Sequence, residues 1–249
     1  MNNKTAILVQ ARLGSSRLPR KIFAEVDKKS VLKIGIERLK RCKKNSLLIY
    51  VIPDSKENDE LESYLKKLNC EVFRGSEKDL MKRYLECANF YSIDTIVRIT
   101  SDCPLVDPVL VDQFIEKYIY LKSENFYLSN YTPPELASYC NGSDVEIFSK
   151  KLLENAYKEF TNPLDREHVT FQFWDGRYNC KHIREDAKFN IDISRIRLTV
   201  DYMEDIIVLK RLSEKIDLVN SSLEEICKTY FALNLFRFNA KFDSRAGWI

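Results

Sequence analysis

Short apolar runs alternate with stretches of helical spacing through the first half of this chain, and that alternation constrains its fold more than any other feature. Residues 5–10, TAILVQ, are apolar at nearly every position, as in a strand buried on both faces of a parallel sheet. SVLKIGIERLKRCKK then sets Val31, Leu32, Ile34, Ile36 and Leu39 at roughly helical spacing, and SLLIYVIPD returns to the strand pattern until Pro53 and Asp54 stop it. The order repeats: NDELESYLKKLN reads as a helix, CEVFRG as a strand, EKDLMKRYLECANFYS as a helix, DTIVRIT as a strand and VLVDQFIEKYIYLK as a helix. Such a chain is expected to fold as a doubly wound α/β domain with right-handed crossovers.

Beyond residue 122 the regularity weakens. Turn signals at Ser129-Asn130, Pro133-Pro134 and Asn141-Gly142 separate the β-prone pieces FYLSN and DVEIFS, expected as a small antiparallel excursion. Helical spacing returns at 149–160, IRLTV reads as a late strand, and YMEDIIVLKRLSEKI and SLEEICKTYFAL read as closing helices. No internal repeat, low-complexity tract or linker interrupts the 249 residues, so one domain is expected. Its parts are a nucleotide-binding region at about 1–122, an acceptor and dimerisation region at about 123–200, and closing helices over 201–249.

Several function classes drop out on composition. A net charge of only +3 gives the whole chain no field for non-specific nucleic-acid binding. No apolar run approaches the roughly 18 residues that span a bilayer, and MNNKTAILVQ is too brief for a signal-peptide core, so a cytoplasmic protein with no membrane partner is expected. The seven cysteines stand singly with no CxxC pair, and there are two histidines, which disfavours zinc and fits free thiols in a reducing compartment.

In open α/β sheets ligands bind at the carboxyl ends of the strands. Four polar clusters occupy such ends, at 10–21, 53–54, 74–79 and 100–107. The first, QARLGSSRLPRK, has neither the GxGxxG of a dinucleotide site nor the GxxxxGK of a Walker loop. Gly14, Ser15 and Ser16 free backbone N–H groups, and Arg12, Arg17 and Lys21 supply cations, as a phosphate site requires; a basic surface loop is the plain alternative. Asp102, after IVRIT, suits a Mg2+ ligand that shares the ion with substrate phosphates, or an Asx turn. Asp201, after IRLTV, suits a second ligand or a helix cap. His168 carries no nucleophile motif with it and reads as a packing residue. Tyr118, Tyr120, Phe126, Tyr127 and Tyr131 lack an RNA-stacking pattern and read as core or interface. Because 118–148 is richer in apolar residues than a small excursion can bury, it is the expected dimer surface.

Taken in order, LVQARLGSSRLPRK, FRGSEKDLMKRY, VRITSDCPLVDP, NGSDVEIFS, DREHVT and LTVDYMED resemble the SpsF-like cytidylyltransferases of spore-coat polysaccharide biosynthesis, relatives of the acylneuraminate and 3-deoxy-manno-octulosonate cytidylyltransferases. The match runs from residue 5 to about residue 210. The resemblance implies a single Rossmann-like α/β domain of the nucleotide-diphospho-sugar transferase type, with a mostly parallel sheet and often a homodimer. It also implies Mg2+-dependent transfer of CMP from CTP to a small sugar-like acceptor, with release of pyrophosphate.

Carried onto this chain, the resemblance gives catalytic roles to Arg12, Arg17, Lys21, Asp102 and Asp201. Arg12, Gly14, Ser15, Arg17 and Lys21 hold the triphosphate, and Asp102 and Asp201 hold Mg2+. Gln10, Ala11, Leu13, Thr100 and Asp102 complete the nucleotide site, with Arg74 and Ser76 near the base or ribose. Asn141, Asp144, Glu146, Asp165, Arg166 and His168 line the acceptor side. The chain departs from the pattern at Arg20, where many relatives have Gly, at Ser16, where they have Thr, and at Met203, where Pro is usual. A glycosyltransferase of the same fold, or an idle nucleotide-binding subunit, are the rival readings.

Overall fold

The structure, a computed structural model, describes residues 4–242; the ends of the first and last expected regions, 1–3 and 243–249, lie outside the described residues. In chain order the strands are β1 (Thr5–Gln10), β2 (Glu25–Val26), β3 (Lys29–Ser30), β4 (Leu47–Pro53), β5 (Glu71–Gly75), β6 (Thr95–Thr100), β7 (Phe126–Ser129), β8 (Glu146–Ser149) and β9 (Lys181–Arg184). The helices are α1 (Val31–Leu39), α2 (Asp59–Lys67), α3 (Leu80–Phe90), α4 (Pro108–Leu121), α5 (Lys150–Glu159), α6 (Pro163–His168), α7 (Phe171–Trp174), α8 (Met203–Ser213), α9 (Leu223–Ala232) and α10 (Phe236–Asn239).

Seven strands form one sheet in the order β5-β4-β1-β6-β8-β7-β9, and β2 and β3 pair as a separate small antiparallel hairpin. The pairs β5-β4, β4-β1, β1-β6 and β7-β9 are parallel, whereas β8 runs antiparallel to β6 and β7. The antiparallel element is therefore set inside the central sheet. Both faces of the sheet are covered, which explains the unbroken apolar run of β1. Ile7 and Val9 pack with residues of α1, α4, α8 and α9, while Ala6 and Leu8 pack with Met81 and Tyr84 of α3 and Leu152 and Leu153 of α5.

Two expectations change. IRLTV is not a strand: Ile196, Leu198 and Val200 are buried in the core, but the segment makes only an isolated bridge between Arg197 and Asn141. Apolar content alone does not reveal whether a segment finds a ladder partner. The 118–148 region also loses its argument as a dimer surface. Tyr118, Tyr127 and Tyr131 are buried because β7 and β8 belong to the main sheet, so the excess of apolar side chains is absorbed within the chain. Tyr120 alone of the five aromatics is fully exposed. No described helix is long and apolar enough to cross a membrane.

Candidate active site

Parallel pairing brings the carboxyl ends of β1 and β6 together, with Gln10 opposite Thr100, and the loops that leave these ends wall a cleft of about 810 Å3. After β1 the chain runs through Ala11, Arg12, Gly14, Ser15, Ser16 and Arg17 along the cleft, then turns into a single 3-10 turn at Lys21–Phe23. The N–H groups of Gly14, Ser15 and Ser16 donate no hydrogen bond within the described residues and remain available to an anion. Leu13 turns away: its side chain is buried in the core and its N–H donates to Asn58 Oδ1.

Two cations of this loop, Arg17 and Lys21, converge on two carboxylates. Lys21 Nζ lies 2.6 Å from Asp102 Oδ2 and 2.8 Å from Asp201 Oδ1, and Arg17 Nη2 reaches the same Asp201 oxygen at 2.7 Å. Two hydrogen bonds to the Asp102 carbonyl hold the aspartates side by side: Val200 N donates to it at 2.8 Å, and the Thr199 Oγ1 hydroxyl at 3.2 Å. Asp201 is not a helix cap. Its other oxygen accepts from Arg197 Nη2 at 2.8 Å, and Asp205 Oδ2 takes the N–H groups of both Asp201 and Tyr202 at the start of α8. Burial opposes charge on Asp102 and on Lys21, yet their mutual attraction prevails: the carboxyl is pulled down to about 2 and the ammonium stays above its ordinary value.

These donors fit a hard divalent cation. A positive charge, the Lys21 ammonium, already bridges Asp102 and Asp201. Asp144 adds a buried Oδ1 without a hydrogen-bond partner in the same cleft. Among the described residues no group of three or more His, Cys, Asp or Glu is gathered to hold a metal alone. One or two carboxylates completed by water and substrate phosphates is the arrangement Mg2+ favours.

Asn141, Asp144, Glu146 and His168 also line the cleft. Gly142, at φ 94°, lets the 141–144 turn press against Leu198 and Thr199, where a Cβ would lie 2.3 Å from Thr199 N. Burial, reinforced by Glu146, pushes Asp144 up to about 7. His168 stacks on Phe171 at 4.0 Å, and burial lowers its pKa. Glu146 is already engaged, with Arg98, Tyr127 Oη and Thr170 Oγ1.

Four expected side chains face elsewhere. Arg74 is tied to Asp54, Asp59 and Glu62, and Ser76 Oγ accepts from Asp79 N at the start of α3. Asp165 is gripped by Arg177, and Arg166 lies over the Tyr157 ring, 3.4 Å from its centroid, while donating to Tyr157 O. None of the four lines the cleft. Sequence reasoning missed Lys78, Arg83, Arg98, Leu164 and Glu167, which do, and missed Arg197 behind Asp201. Arg98 left a readable signal, a charge in the middle of the apolar TIVRIT.

Comparison with known proteins agrees with this geometry. A family model described as "Cytidylyltransferase" matches residues 6–229. The chain is 34% identical over 220 residues to an uncharacterized protein of Methanocaldococcus jannaschii, covering 88% of this chain and 87% of that one. It is 28% identical to the spore coat polysaccharide biosynthesis protein SpsF of Bacillus subtilis, covering 86% and 88%. Among solved structures, a cytidylyltransferase from Leptospira borgpetersenii superposes with a TM-score of 0.88 at 32% identity, covering 96% of this chain and 99% of that one.

Proposed function

The chain belongs to the cytidylyltransferase family, and from that membership we propose that it transfers CMP from CTP to a small sugar-like acceptor with release of pyrophosphate, aided by Mg2+. The observation that carries this reading is the convergence of Arg17 and Lys21 on Asp102 and Asp201. Two basic side chains and two carboxylates in one cleft are the parts needed to hold a metal-bound polyphosphate and neutralise the charge of a leaving pyrophosphate.

In this reading Arg12, Arg17, Lys21 and the free N–H groups of Gly14, Ser15 and Ser16 bind the triphosphate. Asp102 and Asp201 would hold Mg2+, which when bound would supply Lewis-acid polarisation of the phosphate oxygens. Arg17 and Lys21 exchange carboxylate partners for phosphate oxygens as substrate enters. Asn141, Asp144 and His168 orient the acceptor, whose oxygen attacks the α-phosphorus as the bond to the β-phosphate breaks. The region at about 1–122 grips the nucleotide and that at about 123–200 supplies the acceptor wall. The reading takes the enzyme as cytoplasmic and homodimeric, the latter checked by light scattering.

The test is pyrophosphate release from CTP and Mg2+ with a panel of keto-sugar acids and sugar phosphates. One acceptor class should support release, and Asp102→Ala should lower it at least about 100-fold. Release of a nucleotide from a nucleotide-sugar without use of CTP would establish a glycosyltransferase instead. Absence of CTP binding in calorimetry would leave an idle subunit.

A further inference from the structure

Gln10 ends β1 on the floor of the cleft, and its carboxamide is held in one orientation. Its Oε1 accepts from Tyr84 Oη at 3.2 Å and from Arg98 Nε at 3.1 Å. A guanidinium only donates, so the atom facing Arg98 must be the amide oxygen. Arg98 cannot turn aside, because it is buried and paired across the β6-β8 register with Glu146, whose other oxygen accepts from Tyr127 Oη and Thr170 Oγ1. Gln10 Nε2 is thus a fixed donor, and it has no partner among the described residues.

A second donor lines the same cleft. Arg83, on α3, is 4% exposed, and its stem packs on Gly75, where a Cβ would lie 2.9 Å from Arg83 Cγ. Nε donates to Ser76 O at 2.8 Å and Nη2 to Glu77 O at 3.3 Å, while Nη1 makes no hydrogen bond among the described residues. No carboxylate hydrogen-bonds this cation, and burial lowers it to about 10. Gln10 stands two residues before Arg12 of the phosphate loop, so what it touches is contiguous with the phosphates.

We propose that Gln10 Nε2 and Arg83 Nη1 read the base of the nucleotide, donating to the adjacent acceptors N3 and O2 of cytosine. The assignment rests on the CTP-transfer reading above. Cytosine presents those two acceptors side by side on one edge. Uracil places an N3–H between its two carbonyls, so the same pair sets donor against donor, and neither protein group can rotate to relieve it. A site built to hydrogen-bond one partner rejects the analogue that leaves its polar groups unpaired.

Titration calorimetry of the full chain with CTP, UTP and inorganic pyrophosphate, each with Mg2+, tests this. The unaltered protein should bind CTP at least about tenfold more tightly than UTP. Gln10→Glu keeps an oxygen toward Arg98 and sets a second where Nε2 stood, so it should lower the CTP-to-UTP ratio at least about tenfold while pyrophosphate binding is unchanged. Arg83→Met should weaken CTP about tenfold or more and leave pyrophosphate unaffected. A wild-type ratio near one overturns the proposal, as does a ratio untouched by Gln10→Glu, or parallel loss of both nucleotides and pyrophosphate in either variant. Failure of the unaltered protein to bind CTP at all would instead refute the transferase reading on which the proposal rests.

Discussion

Arg17 Nη2 meets Asp201 Oδ1 at 2.7 Å, on the same oxygen that Lys21 Nζ reaches at 2.8 Å. The phosphate-binding cations and the metal-binding carboxylates of the proposed site therefore satisfy one another before any ligand arrives. Their charges are stored as internal ion pairs, and substrate and cation must enter by exchange.

That exchange has a measurable consequence at Lys21. Lys21→Met leaves Asp102 and Asp201 facing each other with less positive charge between them. The variant should bind Mn2+ without nucleotide about tenfold more tightly than the unaltered protein, read by paramagnetic-resonance titration. Turnover should nonetheless fall at least about 100-fold, because the leaving pyrophosphate loses a cation.

Asp144 gives a pH dependence of definite sign. Its carboxyl is raised to about 7 by burial and by Glu146, whereas in the unfolded chain it titrates near the ordinary value of about 3.9. Between these values the folded state binds the extra proton, so Asp144 makes stability fall as pH rises from about 4 to about 7, with no further change above. Asp144→Asn removes the decline. Denaturant unfolding should show the variant gaining on the order of 2 kcal/mol more at pH 8 than at pH 4.

The four-stranded parallel part of the sheet, β5-β4-β1-β6, was legible because buried parallel strands carry apolar side chains on both faces, as Ala6, Ile7, Leu8 and Val9 do. The cleft's main residues were legible for a related reason: strand order forces the ends of β1 and β6 together, whatever follows them. Side-chain commitments were not. Arg74 and Asp165 look free in sequence, but Asp59 and Arg177 occupy them through pairings set by tertiary packing. β9, KHIR, escaped notice because it is a short, largely polar edge strand.

Glycine substitution separates two positions with similar backbone. Gly142 and Gly176 both have positive φ, at 94° and 82°, but a Cβ at Gly142 would strike the backbone of Leu198 and Thr199, while at Gly176 nothing lies within 4 Å. Gly176→Ala should cost about 1 kcal/mol, the ordinary penalty of a left-handed conformation. Gly142→Ala should cost about 3 kcal/mol or more in denaturant unfolding, since backbone cannot yield as a flexible side chain can.

Arg20, the departure in the RLPRK loop, adopts φ 58° just before the 3-10 turn, a left-handed conformation that favours Gly. Its guanidinium makes a bidentate contact to Glu60, at 2.6 and 2.8 Å, and lies over Phe23. Both charges are exposed, so the pair contributes little. Arg20→Gly relieves the strain and loses the pair together, and Tm should move by less than about 4 °C.

Glu146 lines the cleft beside Asn141, Asp144 and His168, and its carboxylate is at the same time the counter-charge of Arg98 across the β6-β8 register. Glu146→Ala leaves a buried guanidinium without its counter-charge and removes one acceptor each from Tyr127 Oη and Thr170 Oγ1. The cost should be about 3–5 kcal/mol by denaturant unfolding. Replacing both partners, Arg98→Met with Glu146→Leu, removes the stranded charge and should recover much of that loss. The double variant still lacks the donor that fixes Gln10 Oε1, so its carboxamide is free to turn either end toward the base. Recovered stability with the CTP-to-UTP ratio reduced toward one would show that the ion pair serves the orientation of Gln10 more than the stability of the sheet.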